Sequence, residues 1–161
     1  MASLRRAGPR PRVYLDACAV QRPFDRLASA EERAEAAAVL LILSWSLSSR
    51  VELVWSTVLE YETIMRAPVE RRSWGMFARD IAGSSFRPDV AQHARARQLE
   101  RRLRLGAFDA LHVACAEALE ATVVTVDRAF LARTAASQRL RIRVMDPVQA
   151  VAELRRAVGD G

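Results

Sequence analysis

The chain has 161 residues, enough for one domain with a hydrophobic core. It is 51% apolar and 27% charged, which sets it apart from disordered and fibrous sequences. The formal net charge is +6, and every one of its 25 basic residues is Arg, with no Lys and no Asn anywhere. An arginine surplus fits a genome-wide bias as well as it fits affinity for a polyanion, since guanidinium groups pair bidentately with phosphate.

Two cysteines, Cys18 and Cys115, lack metal-binding spacing and suggest no disulfide framework. The opening stretch "MASLRRAGPRP" has no apolar core of a secretory signal, so a cytoplasmic protein with a flexible basic tail over residues 1–11 is expected. The longest near-apolar run, residues 36–47, is too short to cross a bilayer and reads as a buried helix.

In chain order, residues 13–15 form the first predicted strand, ending on Asp16. Ser29 and Glu32 form a Ser-x-x-Glu capping box that opens a long helix to about residue 48. Its apolar surface over residues 40–47 suits a core or a homodimer equally. Residues 51–55 alternate and are β-branched, which predicts a second strand. Ser56 or Thr57 then caps a helix to about residue 66, ended by Pro68. Another helix follows over 69–81, closed by Gly83, with a short strand at 84–87. Pro88 starts a helix that ends before Gly106, and residues 108–120 form the next. Residues 122–126 make an apolar strand ending on Asp127, followed by a short helix over 128–136. A last strand at 141–145 and a last helix at 147–158 complete the series. Strands separated by helices imply an α/β fold with a mainly parallel central sheet of four to five strands in a three-layer sandwich. Ligands of such sheets gather at the carboxyl edge of the strands.

Asp16 and Asp127 each end a hydrophobic strand and belong to that edge. Asp146 does too, but Pro147 follows it, and the expected role is to start the last helix. At 100° per residue, Val58, Tyr61, Glu62 and Met65 share one helical face, which places Glu62 in an apolar stripe directed at the sheet. Glu60 points nearly the other way and completes a capping box with Thr57. An acid in an apolar stripe is costly unless compensated, which singles out Glu62. Asp109 lies in the first turn of its helix, where the macrodipole alone accounts for an acid. His112 is expected to pack or hydrogen-bond, His93 to be solvated, and Cys18 and Cys115 to act as small apolar residues.

The stretches "VYLDACAV", "STVLEYETI", "FDALHVACA" and "VVTVDRAF" occur in this order and together resemble the PIN-domain family. The likeness is to compact single-domain bacterial members such as the VapC-like toxins. It extends from about residue 12 to the closing "RIRVMDPVQAV", so a single PIN-like domain over 12–158 is expected. Asp-Ala-Leu-His-x-Ala at 109–114 is its most specific piece. The resemblance implies a metal-dependent ribonuclease whose acids are Asp16, Glu62, Asp109 and Asp127, both as catalytic residues and as ligands of Mg²⁺ or Mn²⁺. Thr125 matches a Ser/Thr position near the fourth acid. RNA is the implied substrate, and a cognate antitoxin protein the implied partner of a toxin-type member.

Physical chemistry supports the set. Two carboxylates about 4 Å apart repel by roughly 4 kcal/mol at an effective dielectric near 20, so several together need a cation. Hard oxygen donors favour Mg²⁺ or Mn²⁺ over Zn²⁺. One departure stands out: Asp16-Ala17-Cys18 replaces the Asp-Thr-Asn or Asp-Ser-Asn frequent in the family, removing a hydroxyl and an amide. It supports the alternative of a catalytically weak RNA- or protein-binding module. A phosphoacceptor role for Asp16 lacks its usual Lys, and a haloacid-dehalogenase-type site would need Asp where Cys18 stands.

Overall fold

The computed structural model describes residues 9–135 and 137–159. Most of the expected basic tail, residues 1–8, and the expected last residue of the short helix, Ala136, lie outside the described residues. The elements run β1 (Arg12–Leu15), α1 (Ala17–Gln21), a 3₁₀ turn (Arg22–Phe24), α2 (Ala30–Leu47), β2 (Glu52–Leu53) and α3 (Thr57–Glu60). Helix α3 continues into a π-helical turn (Tyr61–Met65), followed by α4 (Val69–Ala82), α5 (Val90–Leu103) and α6 (Ala107–Ala118). Then come β3 (Thr122–Val124), α7 (Arg128–Thr134), β4 (Val144–Met145) and α8 (Pro147–Val158).

The four strands form one wholly parallel sheet in the order β2-β1-β3-β4. Tyr14 pairs with Val123 and Leu15 with Val124, so β1 and β3 end level with one another. That register brings Asp16 and the segment leading to Asp127 to the same edge. Helices flank the sheet, with α2 packing on α8 and α5 on α6. Tyr14, Leu15, Ile42, Trp55, Leu59 and Phe130 are the large residues at the centre of the core. Each such aliphatic or aromatic side chain contributes roughly 1.5–3 kcal/mol by leaving water.

The local signals work as the sequence indicates at several ends. Ser29 accepts from the Glu32 backbone N–H, and Glu32 returns the bond to the Ser29 N–H at 2.9 Å. Gly83 closes α4 at φ +76°, a conformation that a Cβ would strain. Asp146 caps α8 through the Gln149 N–H, as Pro147 suggested. In α2, Val39, Ile42, Leu43 and Trp45 face the core while Leu40 and Leu47 face solvent, so most of its apolar surface is core.

Other expectations are corrected. The second and last strands have two residues each, because ladder pairing lasts only while a neighbour runs alongside. Residues 84–87 contribute a single bridge, Phe86 to Ser56, and no strand. Ser56 is the cap of α3, accepting from the Leu59 N–H, so Thr57 and Glu60 form no capping box; Glu60 lies 3.6 Å from Arg79 instead. Among the described residues no helix is long and apolar enough to cross a membrane.

Candidate active site

Asp16 follows β1 directly and caps α1, with Oδ1 accepting the Ala19 N–H at 2.8 Å. Its side chain is buried, 3% exposed. Burial raises its carboxyl to about 6, against the opposing pull of the Thr125 hydroxyl and the Ala19 N–H. Asp127 lies past the end of β3, two residues beyond Thr125, which follows the Leu15–Val124 pair as Asp16 does. Its Oδ1 accepts from both Ala129 and Phe130 N–H groups, and its own N–H donates to Thr125 Oγ1. Thr125 therefore touches both strand-end acids.

Asp109 stands in the first turn of α6, capped by Gly106, whose added Cβ would lie 3.5 Å from Asp109 Oδ2. Its carboxyl is also raised, first by burial, then by Asp127, with Glu62 adding to the shift and His112 and Arg133 opposing it. The fields of Asp16, Asp127, Glu62 and Asp109 all reach Cys18, whose thiol is pushed up to about 12, first by loss of solvent. The four acids predicted from sequence thus share one electrostatic neighbourhood. Cys18 is exposed, however, and lines the cleft rather than packing as a small apolar residue. Cys115, by contrast, is buried.

Glu62 reaches the site for a different reason from the one its spacing suggested. Val58 is buried, but Tyr61 and Met65 face solvent, so the expected apolar stripe is buried only at its start. The chain widens into a π turn at this point, a feature frequent at functional sites. Thr63 is buried on the inner side, and its carbonyl sits where a Cβ on Gly75 of α4 would approach to 2.7 Å. This close approach fixes the turn and aims Glu62 across it at α6.

There Glu62 Oε2 accepts from His112 Nε2. His112 Nδ1 is 2.7 Å from the Tyr14 hydroxyl, which lies 2.6 Å from Ser56 Oγ. A single tautomer satisfies every link: Nε2–H donates to Glu62, Tyr14 donates to Nδ1, and Ser56 donates to Tyr14. Burial holds the Tyr14 phenol well above its ordinary range, so it keeps the proton it donates. His112 thus hydrogen-bonds, as expected of it, with Tyr14 and Glu62 as its partners. Sequence reasoning did not identify Tyr14 or Ser56 as parts of this relay. A signal was present, because Tyr14 and Asp16 are two apart and share one face of a strand extension. A buried tyrosine hydroxyl also demands a partner.

A cleft of about 650 Å³ opens beside these groups, lined by Ala17, Cys18, Arg22, Glu62, Arg66 and Asp127 among others. Among the described residues, no Arg forms an ion pair with Asp16, Asp109 or Asp127. Nor do three His, Cys, Asp or Glu side chains stand close enough together to form a ready-made metal site. The donor chemistry nevertheless fits a hard divalent cation. Asp127 and Glu62 each spend one carboxylate oxygen on protein partners and leave the other uncommitted. The carboxyls of Asp16 and Asp109, raised by burial with nearby acids adding, are groups a cation would relieve.

Residues 13–136 match the sequence pattern of the PIN domain. The chain is also similar in fold to the crystal structure of PAE2754 from Pyrobaculum aerophilum, at TM-score 0.50 and 13% identity. That likeness covers 92% of this chain and 99% of the other. No protein of curated function matches the sequence.

Proposed function

This chain belongs to the PIN-domain family, and from that premise we propose that it is a divalent-metal-dependent endoribonuclease. PIN domains are nucleases as a class. The finer reading is supported chiefly by one observation: Asp16, at the carboxyl edge of a parallel sheet, is buried without an arginine partner, with Asp109 adding to the rise of its carboxyl.

Asp16, Glu62, Asp109 and Asp127 would hold the metal, directly or through water. Mg²⁺ or Mn²⁺ bound there supplies activation of water and neutralisation of charge on the phosphate oxygens. The relay of Ser56, Tyr14 and His112 orients Glu62 and prevents it from swinging to solvent. Burial raises the Asp16 carboxyl to about 6, and a divalent cation held there would favour its charged form. The overall reaction adds a water oxygen to phosphorus as the bridging ester oxygen leaves with a proton, and no covalent enzyme intermediate forms. Open access and a net charge of +6 suit single-stranded or loop RNA.

Titration with Mn²⁺ tests the site directly. Asp16→Asn and Asp127→Asn are expected to weaken binding at least tenfold and to abolish cleavage of a fluorescent RNA pool. Unchanged binding in both would refute the assignment. The proposal extends to a toxin role with a small antitoxin covering the carboxylate edge, for which the readout is growth arrest when the chain is expressed alone. Oligomeric state, including a homodimer, is read by sedimentation.

A second reading is favoured by Ala17 and Cys18, which line the cleft without the usual hydroxyl and amide. In it, the protein binds RNA or another protein and cuts weakly. RNA binding retained with no cleavage over a wide range of Mn²⁺ would select it.

A further inference from the structure

Two of the four acids directly follow an aromatic residue in the sequence: Tyr61 precedes Glu62, and Phe108 precedes Asp109. Both residues are open to solvent, Tyr61 at 48% and Phe108 at 38% exposure. They come from different elements, yet their planes lie within 7° of parallel, with centroids 6.2 Å apart. The Arg66 guanidinium carbon lies 6.0 Å from the centre of the Phe108 ring. Among the described residues Arg66 forms no ion pair, whereas Arg22 and Arg71, which line the same cleft, are both tied to Asp25. Arg66 also borders that cleft together with Glu62 and Asp127.

We propose that Tyr61 and Phe108, with Arg66 beside them, form a base-stacking platform that grips an unpaired nucleotide next to the phosphodiester at the carboxylate edge. The proposal rests on reading that edge as the place of phosphodiester hydrolysis, and it adds the device that selects single strands. A base lying on either ring is automatically parallel to the other. Flat rings offer a surface to any base, while a guanidinium with no carboxylate partner among the described residues offers charge to the backbone. In a duplex the faces of the bases are covered by their neighbours, so the platform discriminates by pairing rather than by sequence. The alternative occupant, a second protein surface, is less well matched. Its central contacts would place carboxylates and a free guanidinium in an apolar interface, where charged residues are depleted.

The test uses the full chain without added metal and reads binding by fluorescence anisotropy. The probes are a labelled single-stranded oligoribonucleotide and its duplex. Tyr61→Leu combined with Phe108→Leu preserves apolar bulk and removes both flat faces. The double variant is expected to bind the single strand about 10- to 100-fold more weakly, with duplex binding and Mn²⁺ affinity unchanged. Equal single-strand binding by wild type and variant would overturn the platform. So would wild-type binding that fails to distinguish strand from duplex. A wild-type dimer that becomes monomeric in the double variant would assign the rings to a protein interface and overturn it too. Loss of Mn²⁺ affinity in the double variant would also overturn a platform separate from the acids, while Mn²⁺ binding and cleavage by the wild type are measured apart from these outcomes, so failure of the hydrolase reading is separately visible.

Discussion

Two buried acids in this protein are treated in opposite ways. Glu35, in α2, is 2% exposed and lies between two guanidinium groups, 3.1 Å from Arg22 and 2.6 Å from Arg128. Asp16, 3% exposed, has a backbone N–H, a threonine hydroxyl and no arginine. A chain with 25 arginines had ample means of neutralising both. Burial raises both carboxyls, but at Glu35 the flanking arginines oppose it. The contrast distinguishes an acid that holds the fold together from one kept free for a cation that is not part of the polypeptide.

The largest effect expected from breaking this contrast is at Glu35. Glu35→Ala removes the buried carboxylate that Arg22 and Arg128 share, leaving Arg22 with Asp25 and Arg128 with Glu31, and is expected to cost about 3 kcal/mol in urea unfolding. Asp16→Asn is expected to act in the opposite direction. Asparagine caps a helix as well as aspartate and removes the buried charge. An Asp whose folded carboxyl lies near 6, against an ordinary value of 3.8, favours the protonated native state. Stability therefore falls as pH rises from about 3.8 through about 6, and the deficit is complete above that range. The variant should gain on the order of 2 kcal/mol at pH 7.5, and the gain should vanish towards pH 3.8. A variant no more stable than wild type at pH 7.5 would contradict the uncompensated burial of Asp16.

A smaller effect is expected from the relay. Tyr14→Phe removes the donor to His112 Nδ1 and loosens Glu62 while leaving every carboxylate in place. Cleavage should drop about tenfold, with Mn²⁺ affinity falling by no more than that. Thermal unfolding separates this from a packing defect, which would instead lower Tm by several degrees. Gly75→Ala should move the π turn, because its Cβ would crowd the Thr63 carbonyl. Its mark is loss of cleavage with α4 still folded by circular dichroism. The smallest effect belongs to Cys18. With its thiol near 12 it should react with iodoacetamide at pH 7.5 far more slowly than free cysteine, despite its exposure.

Much of the architecture was legible because its causes are local. The Ser29–Glu32 box, Gly83 and the Asp146-Pro147 start act over four residues or fewer, and each works where the sequence places it. Strand-end acids were legible too, since an apolar β-branched run ends where its carboxylate begins. Asp109 was different: a first-turn acid that answers a helix dipole looks the same as one that faces other acids. Family resemblance, not periodicity, singled it out. For Glu62 the expected geometry was wrong, because a straight 3.6-residue helix was assumed where the chain makes a wider turn.

By itself, then, the sequence determined the order of strands and helices, most of their ends, and which carboxylates compete for the sheet edge. Tertiary structure alone decided that Ser56, Tyr14, His112 and Glu62 join in one line, that Gly75 holds the turn beneath Glu62, and that Tyr61 lies parallel to Phe108. The reason is distance along the chain. A cap or a strand end is written within one turn of backbone. Partners 42 to 98 residues apart meet only after the sheet has set its register and the helices have packed around it.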